Sequence, residues 1–215
     1  MPLPQDFLGP LLAGIEQYYT RKVTTHGATP LGADWSCVPT QEMRFVQLLK
    51  LCNFGAHTTL NDVGCGYGAL LAFLAKRHRS RKIDYLGVDL SPSMIAQAQR
   101  LWNKRTDTAF AVGSLCTRVA DYSVASGIFN VKLNQPEELW ERFIAKTLAD
   151  LHSTSRHGFA VNFLAPAPTD TPHIPELYRV PPDTWAAHCS HTFKAQVEVI
   201  GNYGMREHTL LVRKK

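Results

Sequence analysis

A chain of 215 residues and 24.0 kDa, 45% of them hydrophobic, is sized for one domain with a substantial buried core. Lysine and arginine outnumber aspartate and glutamate 23 to 18, a formal charge of +5 that helps attract an anion or nucleic acid without defining a partner. No apolar run approaches the roughly 18 residues of a membrane span, the start Met1-Pro2-Leu3-Pro4-Gln5-Asp6 lacks the order of a secretory signal, and five scattered cysteines give neither a Cys-x-x-Cys zinc pattern nor an even disulfide framework. A cytoplasmic protein without a metal site is expected.

The apolar spacing of Leu12, Ile15, Tyr19 and Val23 predicts a helix over residues 11–23, interrupted by Gly27 and Pro30. A loop follows from Ala28 to Pro39, and Thr40 is placed to cap a second helix reaching Cys52. From there strands and helices alternate. Strands are predicted at Thr59–Val63, Ile83–Val88, Thr108–Val112, Tyr122–Ala125 and Gly158–Leu164. Helices are predicted at Ala69–Lys76, from Ser91-Pro92 to Trp102, and from Pro136 to Leu151. This rhythm predicts a mostly parallel sheet covered by helices on both faces.

The tail breaks the pattern. Residues 165–182 carry six prolines, too many for an ordinary turn, and loops of that length are commonly functional. A short helix, Asp183–Cys189, and a hairpin of Phe193–Val199 with His208–Val212 close the chain. The one compact basic block, residues 76–82, falls at a helix end, where cations are favoured locally; a docking patch for an acidic partner is the other reading.

The chemistry concentrates in Asp62-Val63-Gly64-Cys65-Gly66-Tyr67-Gly68, between the first strand and its helix. Glycines at alternate positions let the backbone turn tightly against a ligand. A dinucleotide fingerprint would read Gly-x-Gly-x-x-Gly and hold a pyrophosphate. Here the third glycine comes one residue early, and Asp62 would repel a pyrophosphate but suits a cationic amino-acid end. Asp89 closes the second strand, where a carboxylate can accept ribose hydroxyls.

These segments resemble motif I and the second-strand acid of the class I S-adenosylmethionine-dependent methyltransferases, over about residues 57–164. The resemblance implies a Rossmann-like α/β fold: a seven-stranded, mostly parallel sheet with an antiparallel C-terminal hairpin, in three α/β/α layers. It divides the chain into a helical cover (1–56), a cofactor core (57–164), a substrate-side loop and short helix (165–192) and a closing hairpin (193–215). It implies S-adenosyl-L-methionine as cofactor and S-adenosyl-L-homocysteine as product, held by Asp62, Gly64, Cys65, Gly66, Gly68, Asp89, Leu90, Met94, Gly113, Ser114, Leu115 and Ser126. Where the family often has an aspartate, this chain has Ser114; Met94 packs either on the adenine or in the core. The leader Tyr18-Tyr19, His26-Gly27, Trp35, Gln41 and Arg44-Phe45, with the segment Ala125–Asn130, resembles a group of small bacterial methyltransferase-domain proteins.

Acceptor-side candidates are Asn130, His26, Arg44, Tyr19 and Tyr178. Asn130 presents an amide to the acceptor or serves a turn. Loop residue His26 offers a proton acceptor or faces solvent. Arg44 grips an anion with its planar fork or forms a surface salt bridge, and one of Tyr18 and Tyr19 lines the pocket. The Asn/Asp-Pro-Pro-Tyr/Phe tetrad of many amino-group methyltransferases is absent after the fourth strand. The leading expectation is methyl transfer to an oxygen or nitrogen of a small molecule by a monomer or homodimer. The alternatives are an RNA or protein methyltransferase and a non-catalytic binding subunit.

Overall fold

Alternating side chains give the sheet two apolar faces, and each face takes its own set of helices. The computed structural model describes residues 8–55 and 57–215. Its strands are β1 (His57–Val63), β2 (Lys82–Asp89), β3 (Thr108–Val112), β4 (Ala120–Ala125), β5 (Ser155–Leu164), β6 (Gln196–Ile200) and β7 (Glu207–Arg213). Their order is β3-β2-β1-β4-β5-β7-β6, with β1 to β5 parallel and β7 antiparallel between β5 and β6.

The helices are α1 (Gly9–His26), α2 (Val38–Leu48), α3 (Ala69–Arg77), α4 (Pro92–Trp102), α5 (Glu137–Ser153) and α6 (Pro182–Phe193). Phe45 and Leu48 of α2 and Leu70 and Leu74 of α3 share one buried cluster with Leu60, Tyr85, Val124 and Leu211 of the sheet. On the opposite face, Leu11 and Ile15 of α1, Trp140 and Ile144 of α5 and Trp185 of α6 pack with Val63, Val88, Val161 and Leu210. Among the described residues no helix is long and apolar enough to cross a membrane.

The chain leaves β1 in one direction for β2 and β3, then crosses back to β4 on the other side. Ligand crevices form beyond the strand carboxyl ends at such a reversal. Residues 113–119 span β3 to β4 without a helix, and Arg118 anchors the strap by donating to Asp84 Oδ1 (2.6 Å), Asn61 Oδ1 (3.1 Å) and the Leu60 carbonyl (3.1 Å).

Several boundaries differ from the sequence expectation for local reasons. Helix α1 runs on to His26, and Gly27 ends it at φ 67°. Helix α2 begins at Val38 rather than after Thr40, because Pro39 suits a first helical turn. Helix α6 extends to Phe193, which was expected in a strand; Lys194 at φ 54° stops it. Strand β5 starts three residues early, at Ser155, beside an irregularity in its pairing with β4. The proline-rich segment is pinned at its end, where Tyr178 N–H donates to the Asn130 carbonyl (2.9 Å) and Val180 N–H to the Leu164 carbonyl (3.0 Å).

Candidate active site

Two adjoining crevices open at the carboxyl ends of β1, β2 and β4. The larger encloses about 750 Å³ including its mouth, between the glycine loop, Asp89, the 126–128 segment, α1 and α5. The smaller, about 320 Å³, runs toward α2 and the start of α3 and reaches Asp62 and Tyr67. Gly64, Gly66, Trp35 and Ser126 line both. The loop turns between them because Gly64, Gly66 and Gly68 all take positive φ (75°, 54° and 85°), a conformation open to glycine.

Asp89 ties this loop to the end of β2. Its Oδ2 accepts Gly66 N–H and its Oδ1 accepts Ser91 N–H, both at 2.9 Å. Burial pushes its pKa up to about 6, against the pull of those two N–H donors. Asp62 is fully enclosed and accepts the Tyr85 hydroxyl at 2.6 Å. Burial lifts it to about 7; the Tyr85 bond opposes that shift and the Asp89 charge adds to it. Both carboxylates therefore favour a partner that restores a positive charge or a proton.

The cover is fastened to the core by side-chain bonds. The Thr20 and Ser91 hydroxyls share a 2.7 Å hydrogen bond, joining α1 to the residue that caps α4. Tyr67 of the glycine loop donates to Gln41 of α2 (3.2 Å). Trp35 packs against the turn at Gly127: a Cβ there would fall 2.2 Å from the indole. The Arg44 guanidinium stacks on the Trp35 ring at 3.9 Å. It is also paired with Glu207 of β7, with Nε donating to both carboxylate oxygens (3.0 and 2.8 Å) and Nη2 to Oε1. Glu207 accepts Asn162 Nδ2 (2.9 Å), and Asn162 Oδ1 accepts Gly127 N–H (2.7 Å). The circuit returns to the turn under Trp35.

Of the residues named for the cofactor, Gly64, Gly66, Asp89, Leu90, Met94, Gly113, Ser114 and Ser126 line the larger crevice, and Asp62 and Cys65 the smaller. Gly68 instead shapes the start of α3 against Trp102, and Leu115 is exposed away from the lining. The Cys65 thiol, raised by burial, points to the Gly66 carbonyl (3.5 Å).

Among the acceptor candidates Tyr19 lines the larger crevice, and burial raises its hydroxyl pKa. Asn130, 4% exposed, lines neither crevice; neither atom of its amide has a partner, and its Nδ2 lies by Gly127. Three placements correct the sequence picture. His26 is an exposed residue of the last turn of α1, not a loop residue, and lines neither crevice. Arg44 is buried in the Glu207 pair rather than open to an anion or set in a surface bridge. Tyr178 sits in the core, where its hydroxyl donates to Glu141 (3.1 Å) and accepts Trp185 Nε1 (3.2 Å). Glu16 of α1 and Phe143 and Thr147 of α5 line the larger crevice without having been singled out. The bond from the Thr20 hydroxyl to Glu16 (2.7 Å), at i,i+4 on the inner side of α1, is the only local trace.

The strand order, the reversed hairpin and a glycine loop joined to a second-strand carboxylate together define the class I S-adenosylmethionine-dependent methyltransferases. The chain belongs to that family. The model of a methyltransferase domain matches residues 61–158. The Mycobacterium tuberculosis protein Rv1506c, assigned as a methyltransferase, is 37% identical over 166 residues, 77% of this chain and 99% of that one. Human N-acetylserotonin methyltransferase in complex with S-adenosylmethionine superposes with a TM-score of 0.66 at 14% identity; the match covers 99% of this chain and 60% of the human one. Phosphoethanolamine N-methyltransferase from Haemonchus contortus gives 0.68 at 11% identity, over 95% of this chain and 49% of that one. An Aquifex aeolicus methyltransferase gives 0.58 at 18%, over 83% and 94%.

Proposed function

We propose that the protein transfers a methyl group from S-adenosylmethionine to an oxygen or nitrogen of a small molecule held beneath α1, the Trp35 loop and α2. The observation that carries this reading is the crevice itself, whose lining joins the glycine loop and Asp89 to the aromatic side chains of Tyr19, Trp35 and Phe143. The residues fit the cofactor. Each Asp89 oxygen has spent one lone pair on a backbone N–H and keeps another for a ribose hydroxyl. Leu90, Met94, Gly113 and Ser114 offer the adenine an apolar slot with one hydroxyl, and Asp62 an acceptor for the ammonium group. The cofactor supplies a methyl group on a positively charged sulfur, electrophilic without further activation. The chain is left to hold the acceptor in line, exclude water and receive a proton, and most of the gain comes from positioning. Ser126 Oγ, buried, unpartnered and in the lining of both crevices, serves the acceptor side, while Asn130 lies outside the lining beside the Gly127 turn. Arg44 acts through Trp35, and Tyr19 closes the mouth.

An RNA or protein acceptor is less well served. The exposed basic block 76–82 precedes β2 and so lies at the opposite edge of the sheet from the crevice. A cytoplasmic setting accords with five free cysteines, three of them buried.

Calorimetric titration with S-adenosylhomocysteine tests the reading. Micromolar binding that weakens at least about tenfold, or about 1.4 kcal/mol, in Asp89→Ala is expected, followed by transfer of labelled methyl groups to small acceptors. A folded wild-type protein that does not bind would put the non-catalytic reading first.

A further inference from the structure

The charges around the two crevices restrict the acceptor more sharply than their shape does. Among the described lining residues there is no lysine, arginine or histidine, whereas Glu16 adds a carboxylate to Asp62 and Asp89, the two assigned above to the cofactor. Of the cover's four lysines and arginines, Arg21 and Lys50 line neither crevice and the other two are paired. Lys22 is paired with Asp34 at 2.6 Å, and Arg44 is held by Glu207 beneath Trp35. The chain's excess of positive charge therefore does not reach the pocket. The buried polar group left without a partner in the lining is a neutral one, the Ser126 hydroxyl. An enclosed anion needs a cation or several aimed N–H donors to replace its water. A hydroxyl or amine needs only a donor or acceptor, and the Ser126 hydroxyl can serve as either. Three aromatic side chains, Trp35, Tyr19 and Phe143, share the lining.

Building on the methyl-transfer reading, we propose that the acceptor is a planar, largely apolar molecule with a hydroxyl or amine as nucleophile and no phosphate or carboxylate group. The lone pair of its oxygen or nitrogen takes the methyl group as the carbon–sulfur bond breaks toward sulfur. The proton on that atom leaves to solvent or to the Glu16 carboxylate at the rim. Phosphoethanolamine, the anionic compound in the name of the Haemonchus enzyme, would find no cation in this lining.

The test is a calorimetric series on the protein saturated with S-adenosylhomocysteine, using naphthol, naphthylmethylamine, naphthoate and naphthyl phosphate, which share one ring system. Naphthol or the amine is expected to bind at least about tenfold more tightly than either anion. Glu16→Gln, checked by its melting curve, should narrow the gap for naphthyl phosphate. Equal or tighter binding of an anion overturns the proposal, as does no binding of any of the four to protein that has taken up S-adenosylhomocysteine. Failure to take up S-adenosylhomocysteine would instead overturn the methyl-transfer reading beneath it.

Discussion

Replacing Glu207 with leucine strands the Arg44 guanidinium in a site where the two residues are 7% and 5% exposed. The carboxylate receives all the charge-assisted bonds that offset the desolvation of Arg44 apart from the one to the Thr40 carbonyl (2.8 Å). Removing one partner of such a buried pair costs about 3–5 kcal/mol. Asn162 loses its acceptor as well, at about 1 kcal/mol for the unmet N–H. At about 2–4 °C per kcal/mol for a domain of this size, thermal denaturation should show a fall of roughly 8–24 °C. The companion variant decides the cause. Arg44→Met in the Glu207→Leu background removes the stranded charge and fills its space with an apolar chain, so it should recover about half or more of the loss. It will not restore the wall: Trp35 loses its stacked cation, and S-adenosylhomocysteine affinity should stay low in the double variant. A Glu207→Leu cost below about 1 kcal/mol, or a double variant no more stable than the single, would refute a desolvated pair and leave Arg44 open to solvent or substrate.

Gly127→Ala should be worse than its size suggests, because φ is +75° and the new methyl would meet the Trp35 ring at 2.2 Å; a loss of at least about tenfold in S-adenosylhomocysteine affinity is expected, and unchanged binding would mean that Trp35 is not part of the wall. The carboxylates make a pH prediction. Asp62 (about 7) and Asp89 (about 6) are raised above their unfolded values, so the stability they contribute is complete below about pH 4 and is lost as pH rises through 6 and 7. Relative to Asp62→Asn, whose side chain stays neutral, the ligand-free wild type should therefore lose melting temperature as pH rises from about 4 to about 8. Affinity for a ligand bearing an ammonium group should rise over the same interval as Asp62 ionises, and rise less in Asp62→Asn, where Asp89 alone still ionises; an affinity that falls with pH would remove Asp62 from the ligand.

How far the sequence carried the argument depended on the separation of the residues involved. The glycine loop, Asp89 and the Ser91-Pro92 cap are contiguous signals, each read from a few neighbours, and they place the crevice correctly on the fold. Helix ends were misjudged where one residue decides them, as Pro39 does for α2 and Lys194 for α6. The pairing of Arg44 with Glu207 spans 163 positions. Nothing near either residue announces it, so Arg44 read as available. Trp35 against Gly127, and Glu16 in one lining with Phe143 and Thr147, likewise exist only because the topology brings the cover over the β4 turn and beside α5. Tyr178 and His26 carried chemistry in their residue types, yet one was drawn into the core by Trp185 and the other left at a helix end.

The connection from β3 to β4 gives the cover a second duty. A crossover of this kind usually carries a helix that buries the sheet face it passes over. Here the strap 113–119 is bare, and Leu8, Leu11 and Ile15 of the α1 region pack in the same cluster as Leu86, Val88 and Cys116. Three such side chains are worth about 1.5–3 kcal/mol each, or about 5–9 kcal/mol together, comparable with the whole stability of a domain, about 5–15 kcal/mol. Removing residues 1–26 should therefore abolish cooperative unfolding and expose apolar surface to a dye such as ANS, rather than yield a folded enzyme with an open crevice. A truncated chain that melts cooperatively within a few degrees of the full one, and has lost only its affinity for S-adenosylhomocysteine, would show that α1 is a lid and that the strap covers the sheet by itself.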